Sequence, residues 1–130
     1  MSGVMTWDQR RASHAWKQVQ VLAASFKGKD KERKQFASEL RRLPVRVMNA
    51  GLVPAILFLQ SKKKATEVVT VLDDWMKQRF PGGAATLRER ALLDATQLRM
   101  HTAETLAYLQ WLVRFAEAEG LLEGAENGDE

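Results

Sequence analysis

Cysteine is absent from this 130-residue chain. Thiol catalysis, redox switching and thiolate metal sites are therefore excluded together, and no disulfide supports the fold. Histidine is almost as scarce: His14 and His101 are the only imidazoles, and a metal site built on them would have to recruit carboxylates from unrelated segments. No apolar run approaches the ~18 to 20 residues of a membrane span, and the opening MSGVMTWDQRR lacks the apolar middle of a signal peptide. A soluble cytoplasmic protein is expected, with no membrane contact, no cofactor and no small-molecule substrate. Alternating stretches long enough for a strand are missing, and so is any internal repeat.

What is present is charge, unevenly placed. The formal net charge is +4. Residues 1–64 hold 14 Lys and Arg against Asp8, Asp30, Glu32 and Glu39, residues 65–116 hold 6 of each sign, and residues 117–130 hold 6 acids and no base. Such asymmetry points to a polyanion partner for the first half, set against the plainer reading of a solvated surface.

Helical periodicity covers most of the chain. Thr6 and Gln9 have the spacing of a capping box, and Trp7 to about Ser25 carries Ala12, Ala15, Trp16, Val19, Leu22 and Ala23 as an inward stripe. Arg10, His14 and Lys17 follow at i, i+4, i+7 on the other side, so His14 is expected to be exposed. Asp30 can cap a second, basic helix from about Lys31 to Leu43, buried through Phe36, Ala37, Leu40 and Leu43. Its run of alternating charge, KGKDKERK, reads partly as ordinary surface. Pro44 should end that helix, because proline lacks a backbone donor and pushes Leu43 out of helical geometry.

Asn49-Ala50-Gly51 then supplies an exit, with Gly51 free to take positive φ. The next helix buries Leu52, Ala55, Ile56 and Leu59 and ends in Lys62, Lys63 and Lys64, where the helix dipole favours cations. A further helix starts at Ala65 or Thr66, buries Val68, Val69, Leu72, Trp75 and Met76, and stops at Phe80-Pro81-Gly82-Gly83. That glycine pair is a turn and not a phosphate loop, since no strand precedes it. Asp73 and Asp74 point about 100° apart on a helix and cannot act as a paired acid and base.

The remainder, Thr86 to Glu119, is helical with a fresh start capped by Asp94. Leu98, Thr102, Leu106, Leu109, Leu112, Val113 and Ala116 face inward. Tyr108, Trp111 and Phe115 widen the apolar surface, so this helix either sits centrally or offers a face to a partner. Glu104 and His101 are expected to form a structural hydrogen-bonded pair. The fold class is all-α: a compact bundle of about six helices in a single domain, 1–119, followed by an acidic tail, 120–130, expected to be disordered.

Two stretches resemble a known family. Leu43-Pro44, the Asn49-Ala50-Gly51-Leu52 turn, Phe58-Leu59 and the lysines at 62 and 63 form one; Glu104-Thr-Leu-Ala-Tyr-Leu with Trp111-Leu-Val-Arg114-Phe-Ala in the final helix form the other. They are similar to the small helical subunit of the type III-B CRISPR RNA-guided effector, the Cmr complex, over about Trp7 to Glu119. The resemblance implies a subunit that is not an enzyme. Its copies stack end to end as a minor filament beside the backbone subunits that hold the guide RNA, which themselves cleave the target RNA. Arg10, Lys17, Arg41, Arg42, Arg46, Lys62, Lys63 and Lys64 are then expected to neutralise RNA phosphates without reading bases.

The main alternative is a structural scaffold subunit that makes protein contacts alone. A helical DNA-binding domain fits less well, because the helix after Gly51 is too apolar for a major groove. No constellation of catalytic residues favours an enzyme.

Overall fold

At the start of the first helix the Gln9 backbone N–H donates to Thr6 Oγ1 at 3.0 Å, while the Thr6 N–H donates to Gln9 Oε1 at 2.8 Å, which closes the capping box. The computed structural model describes residues 3–63, 65–82, 86, 89 and 94–125. Among these it holds five helices and no strand: α1 Trp7–Ser25, α2 Asp30–Ala50, α3 Leu52–Lys62, α4 Thr66–Arg79 and α5 Ala95–Ala118. The all-α class is as the sequence indicates. About six helices were expected against these five, and most of the stretch between Thr86 and Asp94 lies outside the described residues. No helix of the described residues is long and apolar enough to cross a membrane.

One apolar core joins all five helices. Val19 and Leu22 from α1, Phe36, Leu40 and Leu43 from α2, Ile56 and Leu59 from α3, Leu72 and Met76 from α4, and Leu109 and Leu112 from α5 are buried in it. α1 packs chiefly along α5, and α2 along α3. Trp75 and Tyr108 stack at 5.4 Å between ring centroids. The stripes expected for α3 and α4 are buried position by position. Asp94 caps α5 as expected, accepting from the Gln97 N–H at 2.9 Å.

Several expectations are corrected. Helix α2 does not stop at Pro44 but runs on to Ala50. An interior proline costs about 3 kcal/mol, yet Leu40, Leu43 and Val47 lie on one buried face, and each such side chain contributes about 1.5 to 3 kcal/mol when buried. Continuing the helix keeps Val47 in the core, and the packing outweighs the local penalty. The break comes at Gly51, φ +96, as anticipated. Pro54 sits in the first turn of α3, where a missing donor loses nothing. Asp30 is inside α2 rather than its cap, and its carboxylate pairs with Arg33 at 2.8 Å and Lys34 at 3.3 Å. Trp16, placed on the inward stripe of α1, is 44% exposed.

Glu104 and His101 do not pair. The His101 ring turns back to the Gln97 carbonyl at 2.7 Å and packs on Phe80. Glu104 instead receives donors from two other helices. Arg11 of α1 grips it with Nε and Nη2 at 2.6 and 2.8 Å, Arg79 of α4 donates through Nε at 2.9 Å, and the Trp75 indole N–H donates at 3.0 Å. Burial by itself raises the Glu104 pKa. The bonds from Arg11 and Trp75, with the charges of Arg11 and Arg79, more than reverse this and hold it below the usual carboxylate value. Arg11 is shifted correspondingly upward, first through its bond to Glu104.

The packed body extends past α5. Gly120 turns the chain at φ +75, Leu121 and Leu122 are buried, and Arg33 Nη1 donates to the Leu121 and Glu123 carbonyls at 2.7 and 2.8 Å. Residues 120–125, counted with the tail on sequence grounds, are therefore held against α2, whereas residues 126–130 lie outside the described residues.

Glu104→Gln should destabilise the fold by about 3 kcal/mol, at the low end for breaking a buried ion pair because both guanidiniums keep some water, measured as the urea midpoint at pH 7. Because the folded pKa of Glu104 is depressed, its contribution is complete above the unfolded value of about 4.3 and is lost as pH falls through the folded value. Wild-type stability should decline between about pH 5 and pH 3 more steeply than that of Glu104→Gln, and equal slopes in a urea series against pH would contradict this.

Candidate nucleic-acid interface

Spacing along α2 builds the first basic face. Lys31, Lys34, Gln35, Ser38 and Arg42 recur at three- and four-residue intervals and so share one side of the helix. Together with Lys62 at the end of α3 they line a cavity of about 540 Å³, closed at one edge by Gly124 and Ala125. Four cations there face Asp30 and Glu39. Lys31 and Lys34, in a run read partly as ordinary surface and not among the expected phosphate contacts, belong to the same stripe as Arg42; their spacing was the available signal.

Next to this cavity Phe58 gathers one more of the expected residues, Arg46, together with Lys62. The Arg46 guanidinium lies 4.1 Å and the Lys62 ammonium 4.7 Å from its ring centroid, contacts worth about 0.5 to 1 kcal/mol when exposed. Arg46 Nη1 also meets Glu39 Oε1 at 2.5 Å, so its charge is largely neutralised within the protein. Lys63 ends α3 in the left-handed conformation, φ 54, and is exposed. Arg41 sits one residue from Arg42 and thus about 100° round the helix, half-buried and away from the cavity wall. Lys64 lies outside the described residues.

Arg10 and Lys17 belong to a different place. They line a second cavity, about 390 Å³, between α1 and α4. Arg10 rests over the Trp7 ring at 4.8 Å, and Lys17 is exposed. The seven described residues therefore divide: Arg42 and Lys62 are brought together with Arg46 beside them, Arg10 and Lys17 form a second pair, and Arg41 and Lys63 line neither cavity.

The second cavity also corrects the reading of His14. Only 7% exposed, it bridges Tyr108 Oη, 2.6 Å from Nδ1, and Asp74 Oδ2, 2.7 Å from Nε2. Burial and the nearby Asp74 charge push the Tyr108 phenol well above its ordinary range, so it keeps its proton. Nε2–H donates to the Asp74 carboxylate, and the phenol hydroxyl shares a hydrogen bond with Nδ1. This chain of protons ends in a fully buried ring and serves to tie α1 to α4 and α5. Asp74 is half-exposed, as a surface charge should be, but it is also an acceptor that no periodicity reveals.

On the opposite side of α1, Trp16 packs against Phe115 at 5.7 Å and Phe115 against Trp111 at 5.9 Å. Trp111 also donates its indole N–H to Asp8. Tyr108 is fully buried while Trp111 and Phe115 are half-buried, so the broad apolar face of α5 is partly central and partly at the surface.

The first cavity has a direct electrostatic test. Arg42→Ala with Lys62→Ala should elute from immobilised heparin at lower salt than wild type. Glu39→Gln, which removes an acid and releases Arg46, should elute at higher salt.

No curated protein and no solved structure matches the chain. The model of the family described as CRISPR-associated protein (Cas_Cmr5) matches residues 7–119, from the first residue of α1 to the residue that caps α5. With that match spanning nearly all of the helical body, the chain belongs to the Cas_Cmr5 family of CRISPR-associated proteins, the family its two sequence motifs resemble.

Proposed function

We propose that the chain is a non-catalytic small subunit of a cytoplasmic CRISPR RNA-guided effector complex that targets RNA. It offers the α2–α3 face to the phosphates of guide or target RNA, and copies of it stack as a minor filament beside the backbone subunits. Family membership supports a place among the subunits of such an effector. The observation that carries the RNA contact is the convergence of Lys31, Lys34, Arg42 and Lys62 on one cavity wall. Ammonium and guanidinium groups in that arrangement neutralise phosphates and carry no base code, which suits a complex whose sequence reading is delegated to guide pairing.

A scaffold role without RNA contact is the second reading. It is favoured by the Trp16–Phe115–Trp111 surface and by exposed Val45 and Met48 on α2, which suit protein neighbours.

Photocrosslinking of target RNA in the reconstituted complex separates the two. Crosslinks to α2 and α3 are expected, and a complex that binds target normally with none to this subunit would leave the scaffold. With about four phosphates neutralised per subunit, the contribution to the log–log salt slope on single strands should be near −3. Replacing Arg42, Lys62 and Lys63 by Ala should weaken binding equally for targets of unrelated sequence, as read by filter binding.

A further inference from the structure

We infer that the α1–α4 cavity holds a single unstacked nucleobase, with Arg10 and Lys17 taking the phosphates on either side of it. The inference rests on the RNA-binding reading above for the origin of its ligand. Its evidence is a different cavity, lined by none of the α2–α3 residues.

The chemistry of the lining is unlike that of the first cavity. Trp7, 39% exposed, supplies an aromatic face at the rim. The half-buried Ser13 hydroxyl and Gln18 amide, with the Gln78 amide, each offer both a donor and an acceptor. Asp74 adds acceptor oxygens held in place by His14 and by Gln78 Nε2 at 3.3 Å. An aromatic plane, rotatable amides and flanking cations are what a base needs when it leaves its stack. Every base has a π-face, and amides that can turn accept any of the four edges, so the site would be tolerant of sequence.

Arg10 is the movable part. Its guanidinium occupies the Trp7 face at 4.8 Å, an exposed cation–π contact that is weaker than base stacking. A stacked base contributes about 1 to 3 kcal/mol at such a position. Exchange of guanidinium for base is therefore favourable, and it frees Arg10 to swing toward a phosphate. Lys17 stands seven residues along α1, about 10 Å away on the same helical face. Trp7 itself also contacts the Arg79 guanidinium at 4.1 Å and Trp75 in edge-on geometry at 6.4 Å, so the platform is not an isolated surface ring.

The test titrates the ¹⁵N-labelled full chain with the four nucleoside 5′-monophosphates, ribose 5-phosphate and inorganic phosphate. At millimolar concentration the nucleotides should shift the Trp7 indole N–H and the Gln18 side-chain amide, and the four bases should do so similarly. Ribose 5-phosphate and phosphate should disturb only Arg10 and Lys17. Trp7→Ala should weaken nucleotide binding by about 5- to 150-fold, the loss expected for one stacked base, and Trp7→Phe should retain most of it. Because Trp7 also packs on Trp75, Gln18→Leu provides a variant that leaves that packing intact and should still weaken binding. Nucleotides that act no differently from ribose 5-phosphate, or that move no resonance around the cavity, overturn the inference. Arg42→Ala with Lys62→Ala should leave these shifts unchanged. If nucleotides enter the cavity while the assembled complex shows no crosslink from this subunit, the proposed function falls and this site stands.

Discussion

The arrangement of three of the described helices depends on a carboxylate that sees almost no water. Glu104 of α5 is 4% exposed, and an ion in that position is tolerated only when its lone pairs are filled by well-placed donors. Arg11 fills two of them from α1, while Arg79 and Trp75 fill the others from α4. A leucine core accepts small rotations of its helices; this site does not. Turning α1 by a single residue would carry Arg11 about 100° away and leave a charge without a partner. The His14 bridge from α1 to Asp74 and Tyr108 adds a second polar tie among the same helices. Helices α2 and α3, by contrast, are joined to the bundle mainly by leucines, valines and phenylalanines.

That division of labour places the two cavities. The polar ties hold α1 against α4 at the angle that forms the recess beside Trp7. The apolar seam between α2 and α3 lines up Arg42 with Lys62. Neither recess is a property of one helix, and both disappear if the helices are considered singly.

Much of the helical order was legible in the sequence because it rests on short-range rules. The Thr6–Gln9 box, the Asp94 cap, the Gly51 turn and the stripes of α3 and α4 each involve residues within four positions of one another. What was not legible involves partners far apart in the chain. Pro44 reads as a stop until Val47 is known to be needed in the core. His14 reads as exposed until Asp74 and Tyr108, 60 and 94 residues on, close over it. Glu104 reads as the partner of His101 until two arginines from other helices claim it. The same limit applied to the candidate site. The excess of cations in the first half was plain, but its division between two recesses depends on how α1 and α2 are set around the core.

Arg33 carries a consequence of another kind. It grips the chain beyond α5 through the carbonyl oxygens of Leu121 and Glu123, groups that every amino acid possesses. The grip fixes the route of the polypeptide and ignores the identity of its residues, leaving discrimination to the two leucines that fill the hollow beneath. Side chains along that stretch can therefore drift widely in evolution, or be rewritten by an engineer, while the strand of backbone remains moored to the same guanidinium.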